Sequence, residues 1–422
     1  MLQVQDIRAD KENYLARLSK RGVDFTSLVN QAIELDDKRK SVQSELDKIL
    51  AESNSISKQI GQLYAQCKKD EAEVLKSKTG ALKESGKNLE EALKATEQEL
   101  LEVLYQIPNV PSEAVPAGKS ETDNLVYLEH GEKPKLTQSL PHWELCEKYD
   151  LIDFELGVKI TGAGFPVYKG KGARLQRALI NWFLDKGIEA GFHEIQPPIF
   201  VNESSGIGTG QLPDKEGQMY HMEVDNLYAI PTGEVPITNI YRDVILKEED
   251  LPIRNVGHSP CFRREAGSYG KHVRGLNRLH QFDKVEIVQL SHPDNSYQLL
   301  EEMSSYVQGL LKELGLQYRV LLLCGGDTGF ASAMTYDMEV WSAAQERWLE
   351  VSSVSNFETF QANRLKLRFK NKDGKKQLTH TLNGSALALP RIVASILENF
   401  QTPEGIVVPQ VLRPYCGFDI IN

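Results

Sequence analysis

The chain has 422 residues, of which 41% are hydrophobic and 26% are charged, and its formal net charge is −10. This length allows two or three domains with a large core. The negative charge argues against a protein that coats nucleic acid through bulk charge, although local basic patches stay possible. The sequence has no apolar run of about 20 residues and no basic-then-apolar start, so we expect no membrane span and no secretory signal.

The cysteines indicate a reducing compartment. Five of them are scattered along the chain, and no two form a Cys-x-x-Cys pair. This spacing predicts neither a disulfide framework nor a zinc site, and we expect a cytoplasmic location.

The first hundred residues predict a long helical hairpin. A short amphipathic helix ends near Gly22, and apolar residues then recur every seven positions in two runs, with no proline before Pro108. The first run is Leu28, Leu35, Val42, Ile49, Ile56 and Leu63, and the second is Leu75, Leu82, Leu89, Thr96 and Val103, accompanied by Leu93, Leu100 and Ile107. Heptad spacing of this kind predicts two helices of about 35–40 residues, turning near residues 68–71 into an antiparallel coiled coil.

The end of this hairpin is locally basic. Residues 58–87 contain seven lysines and four carboxylates, in a protein that is acidic as a whole. Contact with a phosphate backbone would explain the reversal of sign. From charge alone, a solvated coiled-coil face explains it as well, and dimerisation through the seam is a third possibility.

Three prolines between residues 108 and 116 mark the end of the helical region. They predict an N-terminal domain at 1–107, a linker at 108–120 and a second domain of mixed helices and strands at 121–422. Within that second domain, glycines at 206, 208 and 210 fit neither the dinucleotide nor the phosphate-loop spacing, so we expect a mobile loop there.

Residues 261–265 and 281–288 alternate apolar and polar side chains, which predicts an antiparallel hairpin with a long, glycine-spaced basic tip. Arg263 and Glu265 are two residues apart and would share one face of the first strand, where they could hold a phosphate and a donor group of one ligand. A surface salt bridge is the simpler interpretation of that pair alone. Arg391 lies where a predicted helix begins, which suits either an anion in front of the helix or a surface arginine.

These separated signals resemble the three signature motifs of class II aminoacyl-tRNA synthetases. The motifs correspond to the helix and strand ending at Pro198, to Phe262-Arg263-Arg264-Glu265, and to the glycine turn that leads to Pro390-Arg391. Residues 264–270, 280–286 and 350–357, together with the heptad hairpin, are similar to seryl-tRNA synthetases over essentially the whole chain. The resemblance implies an α+β fold, with an antiparallel coiled-coil hairpin followed by an antiparallel sheet flanked by helices.

The resemblance further implies ATP-dependent attachment of serine to tRNA(Ser) through a seryl-adenylate, and serylation of tRNA(Sec) where that tRNA is present. It implies a homodimer joined near residues 173–200, Mg²⁺ bound with ATP, and no zinc, as in the ordinary branch of the family. The helical arm and the loop at 266–278 would contact tRNA.

The same resemblance assigns site residues. Those expected around serine are Thr232, Gly233, Glu234, Arg263, Glu286 and Ser385. Those expected around ATP are Arg263, Arg264, Glu265, Leu279, Phe282, Glu350, Val351, Ser352, Ser353 and Arg391. Arg263 and Arg391 would be the catalytic pair, and Glu350 with Ser353 would hold Mg²⁺.

Two alternatives stay open. An amino-acid activator that loads a carrier protein would share the ATP site, but relatives of that kind usually lack such an arm, so its presence counts against this alternative. A catalytically silent scaffold could act through the coiled coil, but every residue of the expected ATP site is present.

Overall fold

The computed structural model describes residues 1–136, 139–215, 217–265 and 274–422. The predicted tRNA-contacting loop at 266–278 therefore lies outside the described residues up to position 273. The described chain divides into two compact units. One comprises Leu2–Ala16 and Asp24–Pro108, and the other comprises Met1, Arg17–Val23 and Asn109–Asn422.

The helices are α1 (Val4–Ala9), α2 (Lys11–Ser19), α3 (Thr26–Ala65), α4 (Lys69–Leu104), α5 (His142–Lys148), α6 (Phe154–Ile160), α7 (Gly170–Glu189), α8 (Glu203–Thr209), α9 (Glu234–Asn239), α10 (Ser296–Glu313), α11 (Thr359–Leu365), α12 (Leu389–Asn399) and α13 (Arg413–Cys416). The strands are β1 (Leu125–His130), β2 (Ile152–Asp153), β3 (Val167–Tyr168), β4 (His193–Glu194), β5 (Phe200–Asn202), β6 (His221–Met222), β7 (Leu227–Ala229), β8 (Ile245–Lys247), β9 (Ile253–Phe262), β10 (Gln281–Ser291), β11 (Tyr318–Leu322), β12 (Met334–Ser342), β13 (Arg347–Asn356), β14 (Arg368–Lys370), β15 (Lys376–Leu378), β16 (His380–Ala388), β17 (Gln401–Thr402), β18 (Gly405–Val407) and β19 (Ile420–Ile421). None of the described helices is long and apolar enough to cross a membrane.

Helices α3 and α4 confirm the predicted hairpin, with 40 and 36 residues. On α3 the buried apolar residues of the seam include Ile56 of the first predicted run, together with Ala32 and Leu46, which lie four residues after Leu28 and Val42. On α4 the buried row also includes small residues, Thr79 and Gly86, which the sequence prediction did not include. Because small side chains let two helix backbones approach closely, they belong to the seam as much as the leucines do.

A charge cluster lies where α1 approaches α3. Asp36 is buried, and its carboxylate oxygens lie 2.7 Å from Lys40 Nζ, 2.9 Å from Arg39 Nη2 and 3.2 Å from Arg8 Nη2. Burial by itself raises the pKa of Asp36, but the hydrogen bonds from Lys40, Arg39 and Arg8 outweigh it, so the pKa is lowered. A buried carboxylate is stabilised in this unit by three cations that are themselves partly exposed.

The other unit is built on an eight-stranded sheet in the order β1-β11-β12-β13-β16-β10-β9-β4. All neighbouring pairs are antiparallel except β4 and β9. Apolar side chains from α7, α10 and α12 pack with the inward face of the sheet into the main core, represented by Leu179, Val307, Val285, Met338 and Ile396. This architecture confirms the α+β prediction.

Two local predictions were wrong. Strand β9 ends at Phe262, and Glu265 has a backbone φ of 48°, so Arg263 and Glu265 do not share a strand face.

Gly206 and Gly208 lie in helix α8 and not in a mobile loop. The Asn202 side chain accepts from Ser205 N and starts this helix, a cap that the glycine spacing concealed.

Gly206 and Gly208 instead permit close packing. A Cβ at Gly206 would lie 2.7 Å from Leu212 Cδ1, and one at Gly208 would lie 2.6 Å from Leu365 Cδ2. Both distances are shorter than carbon atoms tolerate, so α8 packs on its neighbours only because these positions carry no side chain.

Candidate active site

A buried cluster of charge lies on one face of β10. Lys284 and Glu286 are two residues apart, and Lys284 Nζ lies 2.5 Å from Glu286 Oε2. Lys284 also donates to Thr232 Oγ1 at 2.8 Å, and Thr232 Oγ1 lies 3.2 Å from Glu286 Oε2. All three residues are at most 5% exposed. Because a buried ion pair needs such partners to offset its lost hydration, the three side chains fix one another.

The turn that carries Thr232 lies directly against β10. A Cβ at Gly233 would be 3.2 Å from both Glu286 Cβ and Ser259 Oγ, so glycine permits this approach. Helix α9 then begins at Glu234, whose backbone N–H donates to Thr232 Oγ1 at 3.2 Å. The predicted serine residues from this turn are therefore brought together with Glu286.

Glu234 is a second carboxylate buried beside Glu286. Burial, and then the negative charge of Glu286, raise the pKa of Glu234 to about 7, although a hydrogen bond from Gln361 and the charge of Lys284 partly oppose the shift. Gln361 Nε2 donates to Glu234 Oε1 at 2.5 Å and to the Thr209 carbonyl oxygen at 3.0 Å. Two buried carboxylates share the charge of one nearby lysine, so the pocket is able to accept a further cation.

Ser385 completes this side of the cluster from β16. It pairs with Glu286 in the register between β10 and β16, and it is 8% exposed. Its carbonyl oxygen accepts from Ser352 Oγ at 2.6 Å. Ser352 and Val351, both predicted near ATP, are buried, and the Ser352 hydroxyl is used to hold β16.

Arg263 contacts both the turn that carries Thr232 and an aromatic ring. Its Nε donates to the Pro231 carbonyl oxygen at 3.2 Å, immediately before Thr232, and its guanidinium carbon lies 5.2 Å from the Phe282 ring centroid. Burial raises the pKa of the nearby Cys261 thiol, while Lys284 and Arg263 oppose that rise. Arg263 is thus close to both the turn that carries Thr232 and the Phe282 ring, an arrangement that can hold an anion beside a flat ring.

The residues after Arg263 turn toward the strand that returns. Arg264 N donates to the Gln218 carbonyl oxygen at 2.8 Å. Glu265 Oε2 lies 2.5 Å from Arg278 Nη1, so this carboxylate, predicted near ATP, is paired with an arginine. The Leu279 side chain is buried, which leaves only its backbone for a ligand.

A β-bulge brings Glu350 and Ser353 to one face of β13. Residues three apart on a regular strand point to opposite faces, but the register with β12 shifts between Met338 and Glu339. Val351 is the extra residue. The bulge therefore places the half-exposed Glu350 carboxylate and the Ser353 hydroxyl on the same side of the sheet.

Arg391 reaches the same place from the start of α12. Its Nη1 donates to the Glu350 carbonyl oxygen at 2.7 Å and lies 3.8 Å from Glu350 Oε2. Its Nε donates to the Asn277 carbonyl oxygen at 3.2 Å. The structure thus brings Arg391 together with Glu350 and with the chain that follows the 266–273 segment.

The oxygen donors near Glu350 fit a hard divalent cation. Asp337 lies opposite Ser353 in the register of β12 and β13, and its buried Oδ1 has no hydrogen-bond partner among the described residues. Burial, and then the Glu350 charge, raise the pKa of Asp337, while a hydrogen bond from Ser353 opposes the rise. Carboxylate and hydroxyl oxygens are ligands that Mg²⁺ accepts, so these residues suit the predicted metal.

The sequence interpretation missed three residues of this site. The sequence pattern could have indicated Lys284, because it lies two residues from both Phe282 and Glu286 on β10 and therefore shares their face. Asp337 and Gln361 had none, since only the pairing of β12 with β13 and the packing of α11 place them at the site.

Comparison with known proteins agrees with this geometry. Residues 219–400 match the model of the tRNA synthetase class II core domain (G, H, P, S and T), and residues 1–111 match that of the seryl-tRNA synthetase N-terminal domain. The matched core domain and the eight-stranded sheet identify this chain as a class II aminoacyl-tRNA synthetase.

Full-length relatives define the family. The serine–tRNA ligase of Salinibacter ruber is 50% identical over 99% of this chain and 98% of its own, and that of Caldicellulosiruptor saccharolyticus is 48% identical over 100% of both. The solved seryl-tRNA synthetase of Pyrococcus horikoshii, complexed with ATP, superposes with a TM-score of 0.92 at 32% identity, covering 100% of this chain and 99% of that one. The chain belongs to the seryl-tRNA synthetase family.

Proposed function

We propose that this protein joins serine to tRNA(Ser) in two steps, forming seryl-adenylate and diphosphate from serine and ATP, and then seryl-tRNA and AMP. The observation that carries the proposal is the buried cluster of Thr232, Lys284 and Glu286 beside Glu234, in a chain 50% identical to a serine–tRNA ligase. The ATP complex of the Pyrococcus horikoshii relative supports nucleotide use by the same fold.

Serine would be recognised by the carboxylates of this cluster. Glu234 and Glu286 accept hydrogen bonds from its ammonium and hydroxyl groups, and Ser385 lies opposite Glu286. Alanine would leave buried acceptors unpaired, and this costs more than the loss of one contact. The extra methyl group of threonine would have to fit against the Thr232–Gly233 turn, which already touches β10.

Adenylate formation needs alignment and charge neutralisation. The serine carboxylate attacks the α-phosphorus and diphosphate leaves, so no side-chain base is required for a nucleophile that is already ionised. Arg263 would hold the α-phosphate and the serine carboxylate, Arg391 would bind the γ-phosphate, and Phe282 would stack on adenine. Glu350 and Ser353 would hold Mg²⁺, which neutralises phosphate charge when bound.

The remaining assignments follow from the same proposal. Residues 1–107 would be the tRNA-binding domain, 108–120 a linker and 121–422 the catalytic domain. The α3–α4 arm and the 266–278 loop would contact tRNA, including tRNA(Sec) where it is present. The protein would act in the cytoplasm as a homodimer, without zinc.

The test is ATP–pyrophosphate exchange with each of the twenty amino acids, followed by charging of total tRNA. We expect exchange with serine alone and one class of charged tRNA, carrying serine. Exchange with another amino acid would overturn the substrate, and transfer of serine to a carrier protein in place of tRNA would favour the carrier-loading alternative. Absence of exchange with every amino acid would favour the silent scaffold.

A further inference from the structure

A buried histidine–glutamate pair lies beside the ATP-site residues, although no substrate contact is assigned to it. His142 on α5 and Glu398 on α12 are both fully buried. His142 Nδ1 lies 2.7 Å from Glu398 Oε1, which also accepts from the His142 backbone N–H at 3.0 Å. Such a pair is costly to bury unless each polar atom is satisfied, so its remaining partners indicate what it holds in place.

The second ring nitrogen contacts the backbone that follows the 266–273 segment. Leu276 N lies 2.8 Å from His142 Nε2. A backbone N–H can only donate, so Nε2 is the acceptor, and the proton of the neutral ring is on Nδ1, which donates to Glu398. Both nitrogens are therefore used in one fixed orientation, and the imidazole links Leu276 to α12.

Gly275 allows this close approach. Its φ is +66°, and a Cβ there would lie only 2.3 Å from His142 Nε2. A side chain at this position would displace the ring, and the left-handed backbone also favours glycine. The path of the chain and the position of His142 therefore depend on each other.

The same helix holds the same segment at a second point. Arg391 and Glu398 are two turns apart on α12, and Arg391 Nε donates to the Asn277 carbonyl oxygen at 3.2 Å. Gln345 closes the ring of contacts, because its Nε2 donates to Glu398 Oε1 at 3.0 Å and its Oε1 accepts from Asn277 Nδ2 at 3.0 Å.

We propose that His142 and Glu398 are positioning residues of the ATP site, which fix residues 274–279 against α12 and thereby set the separation between Arg391 and the Arg278–Glu265 pair. This inference rests on the proposed function. Neither residue touches substrate. They act by holding the groups on the two sides of the nucleotide site in register, where a displacement of about 1 Å is enough to cost a hundredfold in rate.

The test compares His142→Phe with His142→Gln in serine-dependent exchange. Phenylalanine fills the space but leaves Leu276 N without its acceptor and removes the ring donor to Glu398, whose carboxylate keeps its bonds from Gln345 and from the backbone of residue 142. We therefore expect the KM for ATP to rise about tenfold and kcat to fall, with the KM for serine within about twofold of wild type. Glutamine supplies one donor and one acceptor on a single amide, so in His142→Gln the KM for ATP should return most of the way to the wild-type value. Gln345→Leu breaks the second link and should raise the KM for ATP by about threefold, even if His142→Phe does not fold.

His380→Phe is the control, because His380 is a partly buried histidine that hydrogen-bonds to Ser296 Oγ at 2.7 Å near the opposite end of β16. It should lower the unfolding temperature without changing the KM for ATP. Equal changes in both KM values, or an ATP KM unchanged in His142→Phe and Gln345→Leu, would overturn the inference. ATP affinity measured by calorimetry gives an independent readout. A wild type that binds ATP without activating serine would refute the proposed function, but it would not refute the positioning role of His142 and Glu398.

Discussion

The helical hairpin and the sheet are stabilised in different ways. In the hairpin, α3 meets α4 through one repeating seam of apolar and small side chains. The ion cluster at Asp36 lies in the N-terminal part of α3. In the sheet, Thr232, Glu286 and Arg391 come from three distant parts of the chain and depend on strand register. We therefore expect changes in the arm to affect tRNA charging alone. Changes in the sheet should affect both serine-dependent exchange and tRNA charging.

Deletion of residues 28–105, with a short glycine linker in their place, should have the largest effect. If the arm supplies phosphate contacts, tRNA charging should fall to below about one-hundredth of wild type, while serine-dependent exchange stays within about threefold. Parallel exchange and charging assays measure this. Conversion of Lys76, Lys78 and Lys83 to serine keeps the hairpin and should weaken charging alone. Equal loss of exchange and charging after the deletion would contradict the division between the two units.

Arg391→Ala tests the sheet side of the comparison. Loss of a cation aimed at the triphosphate should lower kcat/KM for exchange by about 10²–10³, and charging should fall in proportion. Arg254→Ala removes a partly exposed arginine that pairs with Glu302 at 2.9 Å and should leave both rates near wild type. A loss confined to charging would show that Arg391 does not serve adenylate formation.

Glu286→Ala should separate the amino-acid pocket from the nucleotide site. The change removes the carboxylate that balances buried Lys284, so serine activation should fall by about a hundredfold or more, while ATP affinity measured by calorimetry changes by less than about threefold. Glu302→Ala, on the surface, is the control. Unchanged serine activation would mean that the pocket is elsewhere.

The pH dependence of serine binding should follow Glu234. Its pKa is raised to about 7, so the carboxyl is protonated and a poor partner for the serine ammonium below that value. The KM for serine should therefore fall as pH rises from 6 to 8. Below the pKa, the fall should be at most about tenfold for each pH unit. In Glu234→Gln the KM should be high and flat over this range. A wild-type KM that does not change across pH 7 would exclude this assignment.

The smallest expected effect concerns stability of the arm unit. Because the folded-state pKa of Asp36 is lowered, its stabilisation is present above the ordinary aspartate pKa and is lost as pH falls through the folded value. Asp36→Asn should lower the thermal midpoint of helix unfolding by a few degrees at pH 7, and by less at acid pH. Asp37→Asn, at an exposed neighbour that also contacts Arg8, should have almost no effect. Equal midpoints for the two variants at pH 7 would refute the role of the buried cluster.

The sequence by itself determined the arm, since the heptad rows at Leu28 to Leu63 and Leu75 to Val103 predict α3 and α4 by periodicity alone. It also determined the candidates Arg263, Glu286 and Arg391 through motif spacing and resemblance. Only the tertiary structure decided where strand β9 ends, that a bulge places Glu350 beside Ser353, and that Gln361 supports Glu234. The physical reason is that a coiled-coil helix follows from contacts repeated every seven residues. The geometry of the site depends instead on register and packing between distant residues, such as Gln361 and Thr209, which are 152 positions apart, and no local pattern exists for such contacts.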